Sequence, residues 1–224
     1  MDHPVTLVVD IGGNKIKLAC SCEAERRKVP SGPDLTPQRA MTLIRELAAD
    51  WRFERVTLGC PGPVRDGRLL GEPVNLGGGW VGFDFAAAFG KPTKLVNDAL
   101  LQAIGSWQGG KMLFLGLGTG LGSALVCPGT ALAMELAHLP YKRKWTYEDC
   151  LGRRGLLRMG RKRWEKVVHD VVARFRDAFL VDDVVLGGGN AKRLRHLPAG
   201  CRLGSNALAV IGGLRVWTDP IRLL

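Results

Sequence analysis

"LFLGLGTGLGSALV", residues 113–126, sets glycines at 116, 118, 120 and 122 between two apolar runs, with a single hydroxyl at Thr119. An apolar run, a short glycine turn and a second apolar run predict strand, turn, strand. The alternative, strand, turn, helix, belongs to the phosphate loops that open onto a helix N-terminus. The dinucleotide fingerprint GxGxxG fails from Gly116, Gly118 and Gly120, whose sixth positions are Leu121, Ser123 and Leu125. The GKS/T of a Walker loop is missing too. What is left is a hairpin whose backbone can approach a ligand closely, with turn amides and the Thr119 hydroxyl as donors for phosphate oxygens. A plain tight turn has the same local signature, so the rest of the chain must decide.

Working outward, "VTLVVD" (5–10), "IGGN" and "KIKLACS" repeat the plan near the start of the chain. Two such hairpins, one in each half, predict an internally duplicated architecture in which each half brings a glycine turn to a shared cleft. A third glycine cluster, "VVLGGGNAK" (184–192), again follows an apolar strand. Between the hairpins, "TPQRAMTLIRELAADW" has helical apolar spacing after a Thr-Pro start, and "RVTLGCPGPV" is a buried strand entering a proline turn. "FDFAAAFG" reads as a short helix closed by Gly90, "KPTKLVND" as a strand, and "ALLQAIGSW" as a helix. In the second half, Trp164, Val167, Val168, Val171, Val172 and Phe175 form the apolar stripe of a long amphipathic helix. "SNALAVIGGLRVW" predicts a small-residue helix capped by Ser205 or Asn206. Alternating strands and helices make this an α/β protein with helices covering mixed sheets. The hinge falls at "GSWQGG", dividing the chain into units 1–106 and 107–224, with the last helix (about 205–218) packing back on the first unit.

Composition narrows the function classes. With 46% hydrophobic residues in 224, the chain can bury a substantial core, and it has no apolar stretch near the roughly 20 residues that span a bilayer. Met1–Pro4 carry no basic leader and Asp10 interrupts the apolar run, so the expected location is the cytoplasm, with no membrane partner. Six cysteines are scattered without a CxxC pair, and Cys20 and Cys22 are expected on one face of a strand, which suits free thiols in a reducing compartment. The net charge of +11 is concentrated between Lys142 and Arg176. A polyanionic ligand and a solvated helix face both account for it.

Seven motifs then occur in one order: "VVDIGGNKIK", "GCPGPV", "PVNLGGGW", "VNDAL", "LGLGTGLGSA", "ELAHL" and "VVLGGGNAK". This series resembles the sugar kinases of the ROK group in the actin-like ATPase superfamily, and most of all compact polyphosphate glucokinase-like members. The resemblance runs from Val5 to Trp217. It implies two ribonuclease-H-like domains with a cleft between them. It also implies a glucokinase, moving a phosphoryl group from ATP or inorganic polyphosphate to the 6-hydroxyl of glucose. Gly12, Gly13, Asn14 and Lys15 would form the first phosphate turn, Gly118, Thr119 and Gly120 the second, and Gly187, Gly188 and Gly189 the segment against the nucleotide. Asp10 would hold Mg²⁺, which keeps much of its hydration and takes one or two carboxylates plus phosphate oxygens. Asp98 would be the general base by this resemblance, although on its own it reads first as the N-cap of "ALLQAIG". Asn75, Asn97, Asp98, Glu135 and His138, with backbone near Gly62, would meet the sugar hydroxyls. Glu135 and His138 by themselves are an ExxH pair that would share one helix face, and such a pair is commonly just surface.

The sequence also departs from that pattern. Many ROK proteins have a CxCGxxGCxE zinc segment; "EDCLGRRGLLRMG" holds one cysteine, so no structural zinc is expected. The change also takes away a glutamate expected at the sugar. Asn14 stands where Thr or Ser is common, and Ala137 replaces the usual Gly before His138. The first hairpin begins at residue 5, which leaves no helix-turn-helix ahead of it, so no specific nucleic-acid partner is expected. A homodimer is implied by resemblance alone. The alternatives are a kinase for another hexose and a non-catalytic sugar or polyanion sensor.

Overall fold

The computed structural model describes residues 4–224. Strand β1 (Thr6–Ile11) turns through residues 12–14 into β2 (Lys15–Cys20), and β3 (Arg26–Pro30) completes an antiparallel meander. Helix α1 (Pro37–Leu47) starts where Thr36 accepts the amide of Arg39, with Pro37 in the first turn. Strand β4 (Arg55–Cys60) lies parallel to β1. A small hairpin, β5 (Val64–Arg65) and β6 (Arg68–Leu69), precedes α2 (Phe85–Phe89), which Gly90 closes in the left-handed conformation at φ 62°. Strand β7 (Thr93–Asn97), parallel to β4, then runs straight into α3 (Asp98–Ser106).

The second half repeats the plan. Strands β8 (Met112–Leu117), β9 (Leu121–Cys127) and β10 (Thr130–Met134) form another antiparallel meander. A short pair, β11 (Pro140–Lys142) and β12 (Trp145–Thr146), leads to α4 (Tyr147–Leu151), α5 (Arg153–Met159) and α6 (Arg161–Phe179). Strand β13 (Asp183–Gly187) is parallel to β8 and β14 (Cys201–Leu203) parallel to β13; α7 (Leu208–Thr218) and β15 (Arg222–Leu223) end the chain. The sheet orders are β3-β2-β1-β4-β7 and β14-β13-β8-β9-β10-β15. Apart from the added edge strand β15, the second order read backwards has the same meander-then-parallel arrangement as the first. This is the duplication that the two hairpins predict.

Period-two alternation sends each central strand's side chains to two different helix layers. Leu7, Val9 and Ile11 of β1 pack with Ala40, Met41 and Ile44 of α1. Leu113, Leu115 and Leu117 of β8 pack with Trp164, Val168, Val171, Val172 and Phe175 of α6, the expected stripe, with Val167 at its margin. Met112 and Phe114 face the other way, into a cluster with α3 and Val216 of α7. Helices α3 and α7 thus lie between the sheets. Their backbones touch at glycine: a Cβ on Gly105 would strike the Leu208 carbonyl, and one on Gly212 would strike that of Leu101. On its far side α7 meets the first sheet, where a Cβ on Gly213 would run into Val8.

Three local expectations need correction. Helix α7 begins at Leu208 after Ala207 with no side-chain cap; Ser205 instead accepts the amide of Ala207 just before the helix. Strand β2 stops at Cys20, so Cys22 is in the following turn rather than on the strand, and its sulfur lies 3.2 Å from that of Cys20. Glu135 and His138 are not on an α-helix; Glu135 precedes a 3-10 turn, Leu136–His138.

Candidate active site

Strands β1, β4 and β7 are parallel, and their carboxyl ends come level: Asp10 pairs with Gly59, and Cys60 with Asn97. Ligands of open α/β sheets bind beyond such ends. Asp10, 6% exposed, points there and accepts from Lys17 Nζ at 2.7 Å through Oδ2. Hairpin register makes this pair, since Asp10 and Lys17 face each other across the Gly12–Lys15 turn, closed by Gly12 N–H to the Lys15 carbonyl at 3.0 Å. Lys15, expected at the phosphate, is exposed, and the lysine that reaches the acid is Lys17. Gly13 abuts Asn75, whose Cβ would be 3.2 Å from a Cβ at that glycine.

Asp98 is the first residue of α3, directly after β7. The helix cap is Asn97, whose Oδ1 accepts from Ala99 and Leu100 N–H while its Nδ2 donates to the Gly62 carbonyl at 2.9 Å. The amide of Asn97 is therefore mostly spent on holding α3 and the Gly62 turn, and it fixes Asp98 in place. Burial pushes the Asp98 carboxyl up from 3.8 to about 7, helped by the negative charges of Asp10 and Glu135 and opposed by the Ala99 N–H and Lys17. A half-buried acid that titrates near neutrality is suited to accepting a proton.

From the second sheet, the opening stretch is β8, a turn at residues 118–120, and β9. Arg153 N–H donates to the carbonyls of Gly118 and Thr119, and Asn190 Nδ2 donates to Gly118 at 2.7 Å. The third glycine cluster thus packs directly on the second, as Gly188, at φ 79°, has no room for a Cβ against Leu117. Gly118 and Gly189 differ: neither has positive φ, and a Cβ at either would meet nothing. No protein contact demands glycine at these two positions, whereas close approach of a ligand would. Thr119 is exposed beside them.

The same turn exposes a residue that the sequence reading does not count. Glu148, on α4, lies against Gly120 and accepts the amide of Leu121 through Oε2 at 3.2 Å. Glu135 is held nearby because Ser123 Oγ donates to the Met134 carbonyl and accepts from Leu136 N–H. Its carboxyl is raised, first by burial and also by Glu148, while His138, 3.6 Å away, pulls it down. Asp10 and Asp98 therefore stand on one side and Glu135, His138 and Glu148 on the other. Among the described residues no three His, Cys, Asp or Glu converge as a metal-binding group. Asp10 alone still suits hydrated Mg²⁺, which needs only one carboxylate when phosphate oxygens complete its shell.

This is the fold of the ROK-family sugar kinases, a mixed α/β arrangement of the actin-like ATPase type. The inorganic polyphosphate/ATP-glucomannokinase of Arthrobacter sp. strain KM superposes with a TM-score of 0.82, covering 97% of this chain and 100% of that one at 21% identity. The ROK family glucokinase of Streptomyces griseus, solved with glucose and AMPPNP, gives 0.75 over 95% and 98% at 17% identity. By sequence, the N-acetylmannosamine kinase of Salmonella typhimurium is 32% identical over 143 residues, 57% of this chain and 49% of that protein. The chain thus spans about half the length of the curated relatives it matches. No family model matches it. The resemblance to ROK sugar kinases carried by the seven motifs stands, with such kinases as the structural neighbours. No helix among the described residues is long and apolar enough to cross a membrane.

Proposed function

We propose that the chain is a ROK-type sugar kinase that transfers a phosphoryl group from ATP or inorganic polyphosphate to the 6-hydroxyl of a hexose, with glucose the leading substrate. The observation that carries this reading is Asp98: a carboxyl at the aligned ends of β1, β4 and β7, raised to about 7. In its ionised form it takes the proton of the sugar hydroxyl as that oxygen bonds to phosphorus. The bond from phosphorus to the donor's bridging oxygen breaks in the same displacement. Gly118, Thr119 and Gly120 hold the transferring phosphate, Gly12, Gly13 and Asn14 approach it from the other sheet, and Gly187–Gly189 lie along the nucleotide. Asn75, Glu135 and His138 bind sugar hydroxyls, and Glu148 joins them. Asp10 would hold Mg²⁺ through water, and the cation would neutralise charge on the donor phosphates. The cleft lies between two ribonuclease-H-like units, 1–106 and 107–224.

A second acceptor is supported by the N-acetylmannosamine kinases among the relatives. Purified protein is given Mg²⁺, either donor, and glucose, mannose or N-acetylmannosamine, and the sugar 6-phosphate is assayed. Product from glucose with either donor is expected; product from N-acetylmannosamine alone would reassign the substrate, and none at all would leave the sensor alternative. Light scattering tests the expected homodimer.

A further inference from the structure

The basic segment divides in two when its ion pairs are followed. Lys142 and Arg174 pair with Asp170 at 3.7 and 3.0 Å, and Arg154 lies 3.8 Å from both Glu148 and Asp149. Arg158 stacks on Trp145, 3.9 Å from the ring centroid. These charges are used within the fold. Arg161, Lys162 and Lys166, at the start of α6, have no ion pair among the described residues, and neither has Arg195 on the facing loop. Together with His169 and His196, these four cations line a groove of about 500 Å³.

Its single acid, Glu165, is already engaged. Its oxygens accept the backbone amides of Arg195 and His196 at 3.2 and 3.1 Å, and the His196 ring lies 3.4 Å away. Glu165 therefore fastens the loop to α6, and its one negative charge offsets only part of the four cations around it. His169 Nε2, 3.0 Å from the His196 carbonyl, fastens it a second time. A solvated helix face does not need a second element clamped against it. Here two segments are held so that four unpaired cations face one space, at a cost in mutual repulsion that an anion removes.

The loop that forms one wall of the groove is close along the chain to the candidate active site. Asn190, which holds the Gly118 carbonyl, starts the short 3-10 turn Ala191–Arg193, and Arg195 follows two residues later. At about 2 Å rise per residue, that path covers on the order of 10 Å. From this geometry we infer a docking site for an extended phosphate polyanion, gripping the distal part of a chain whose end lies at the Gly118–Gly120 turn. The inference rests on the kinase reading for the position of that end, and on the groove's own charges for binding. A donor as short as a triphosphate would leave the groove empty.

The test is calorimetric, at about 0.15 M salt. Long-chain inorganic polyphosphate, tripolyphosphate and double-stranded DNA are titrated at equal phosphate content into the wild type, into Lys162→Glu/Lys166→Glu, and into Arg195→Gln. The long chain should bind at least about tenfold tighter than tripolyphosphate. That advantage should vanish in the double variant and weaken in Arg195→Gln, with sugar phosphorylation from ATP unchanged and melting temperatures confirming folding. Unaltered long-chain affinity in both variants overturns the inference, as does DNA binding of equal strength, which marks nonspecific charge. A protein that phosphorylates no sugar yet loses long-chain binding in the variants refutes the kinase reading and upholds the groove.

Discussion

Asp98→Asn should make the protein more stable while nearly abolishing turnover. The native carboxyl titrates at about 7 against an ordinary 3.8. Between those values the folded state keeps a proton that the unfolded chain has released, so stability falls as pH rises from about 4 to about 7 and then levels off. At roughly 1.4 kcal/mol per pH unit, the interval corresponds to on the order of 4 kcal/mol, an upper figure for a half-buried group. Asparagine removes the ionisation and keeps an oxygen for the Ala99 amide that Asp98 accepts at 2.8 Å. The wild-type-minus-variant difference in unfolding free energy, from urea denaturation between pH 4 and 8, should be near zero at pH 4 and reach a plateau above pH 7. At about 2 to 4 °C per kcal/mol, the variant should melt several degrees higher at pH 7.5. Turnover should fall by roughly 10² to 10⁴. A variant that is less stable at every pH, with activity intact, would mean that Asp98 is only a helix-end residue and that the reasoning from burial and charge is wrong.

Lys17→Met removes a positive charge that lowers the Asp98 carboxyl, so the acid limb of the pH–rate profile, expected near pH 7, should move to higher pH; an unmoved limb would remove Lys17 from the site's electrostatics. Gly118→Ala adds a methyl that touches nothing, at a φ open to any residue, so melting should stay within about 0.5 kcal/mol of wild type while the donor KM rises. Thr119→Val should likewise reduce turnover with melting unchanged. Gly212→Ala drives a methyl into the Leu101 carbonyl and should cost about 1 to 3 kcal/mol or more, visible as a lower melting temperature.

Much of this was legible because its signals are local. Strand, glycine turn and strand are adjacent in sequence, and both hairpins form where the alternation puts them, as does the short helix that Gly90 ends. Lys17 was within reach: once 10–17 is read as a hairpin closed around residues 12–15, equal spacing about the turn sets it opposite Asp10. Glu148 was not, because 27 residues separate it from Leu121 and the contact depends on how α4 settles under the hairpin. "TYED" does announce a helix start, since Thr146 and Asp149 form a capping box, but a cap says nothing about where the helix points. The same limit explains the caps that moved. Ser205 and Asn206 carry cap chemistry, yet α7 begins beyond them, where glycine contact with α3 sets its position. At α3 the cap falls one residue earlier than the alternative reading of Asp98 required, so capping falls to Asn97 and the Asp98 carboxylate keeps only its bond from the Ala99 amide.

The placement of Asp98 follows from a chain of contacts crossing both sheets. Thr57, buried in β4, donates to the Gly213 carbonyl at 2.6 Å and accepts from Trp217 Nε1 at 2.8 Å, and Lys94 of β7 donates to the Val216 carbonyl at 2.6 Å. These bonds fasten α7 to the first sheet. Gly105 and Gly212 let α7 lie directly on α3, and Ala99 of α3 packs so closely on β9 that a Cβ at Gly122 would collide with it. The start of α3 is fixed separately by Asn97, which ties the helix to the Gly62 turn. A base on a loop would have to be ordered at the moment of reaction. The proposed base, Asp98, is instead the first residue of a helix held at its start by a cap, at its end by a glycine crossing and along its side by the second hairpin's strand. Asp98 is therefore positioned by the Asn97 cap together with packing remote from its own carboxyl, so that the carboxyl can be raised toward neutrality without the helix giving way.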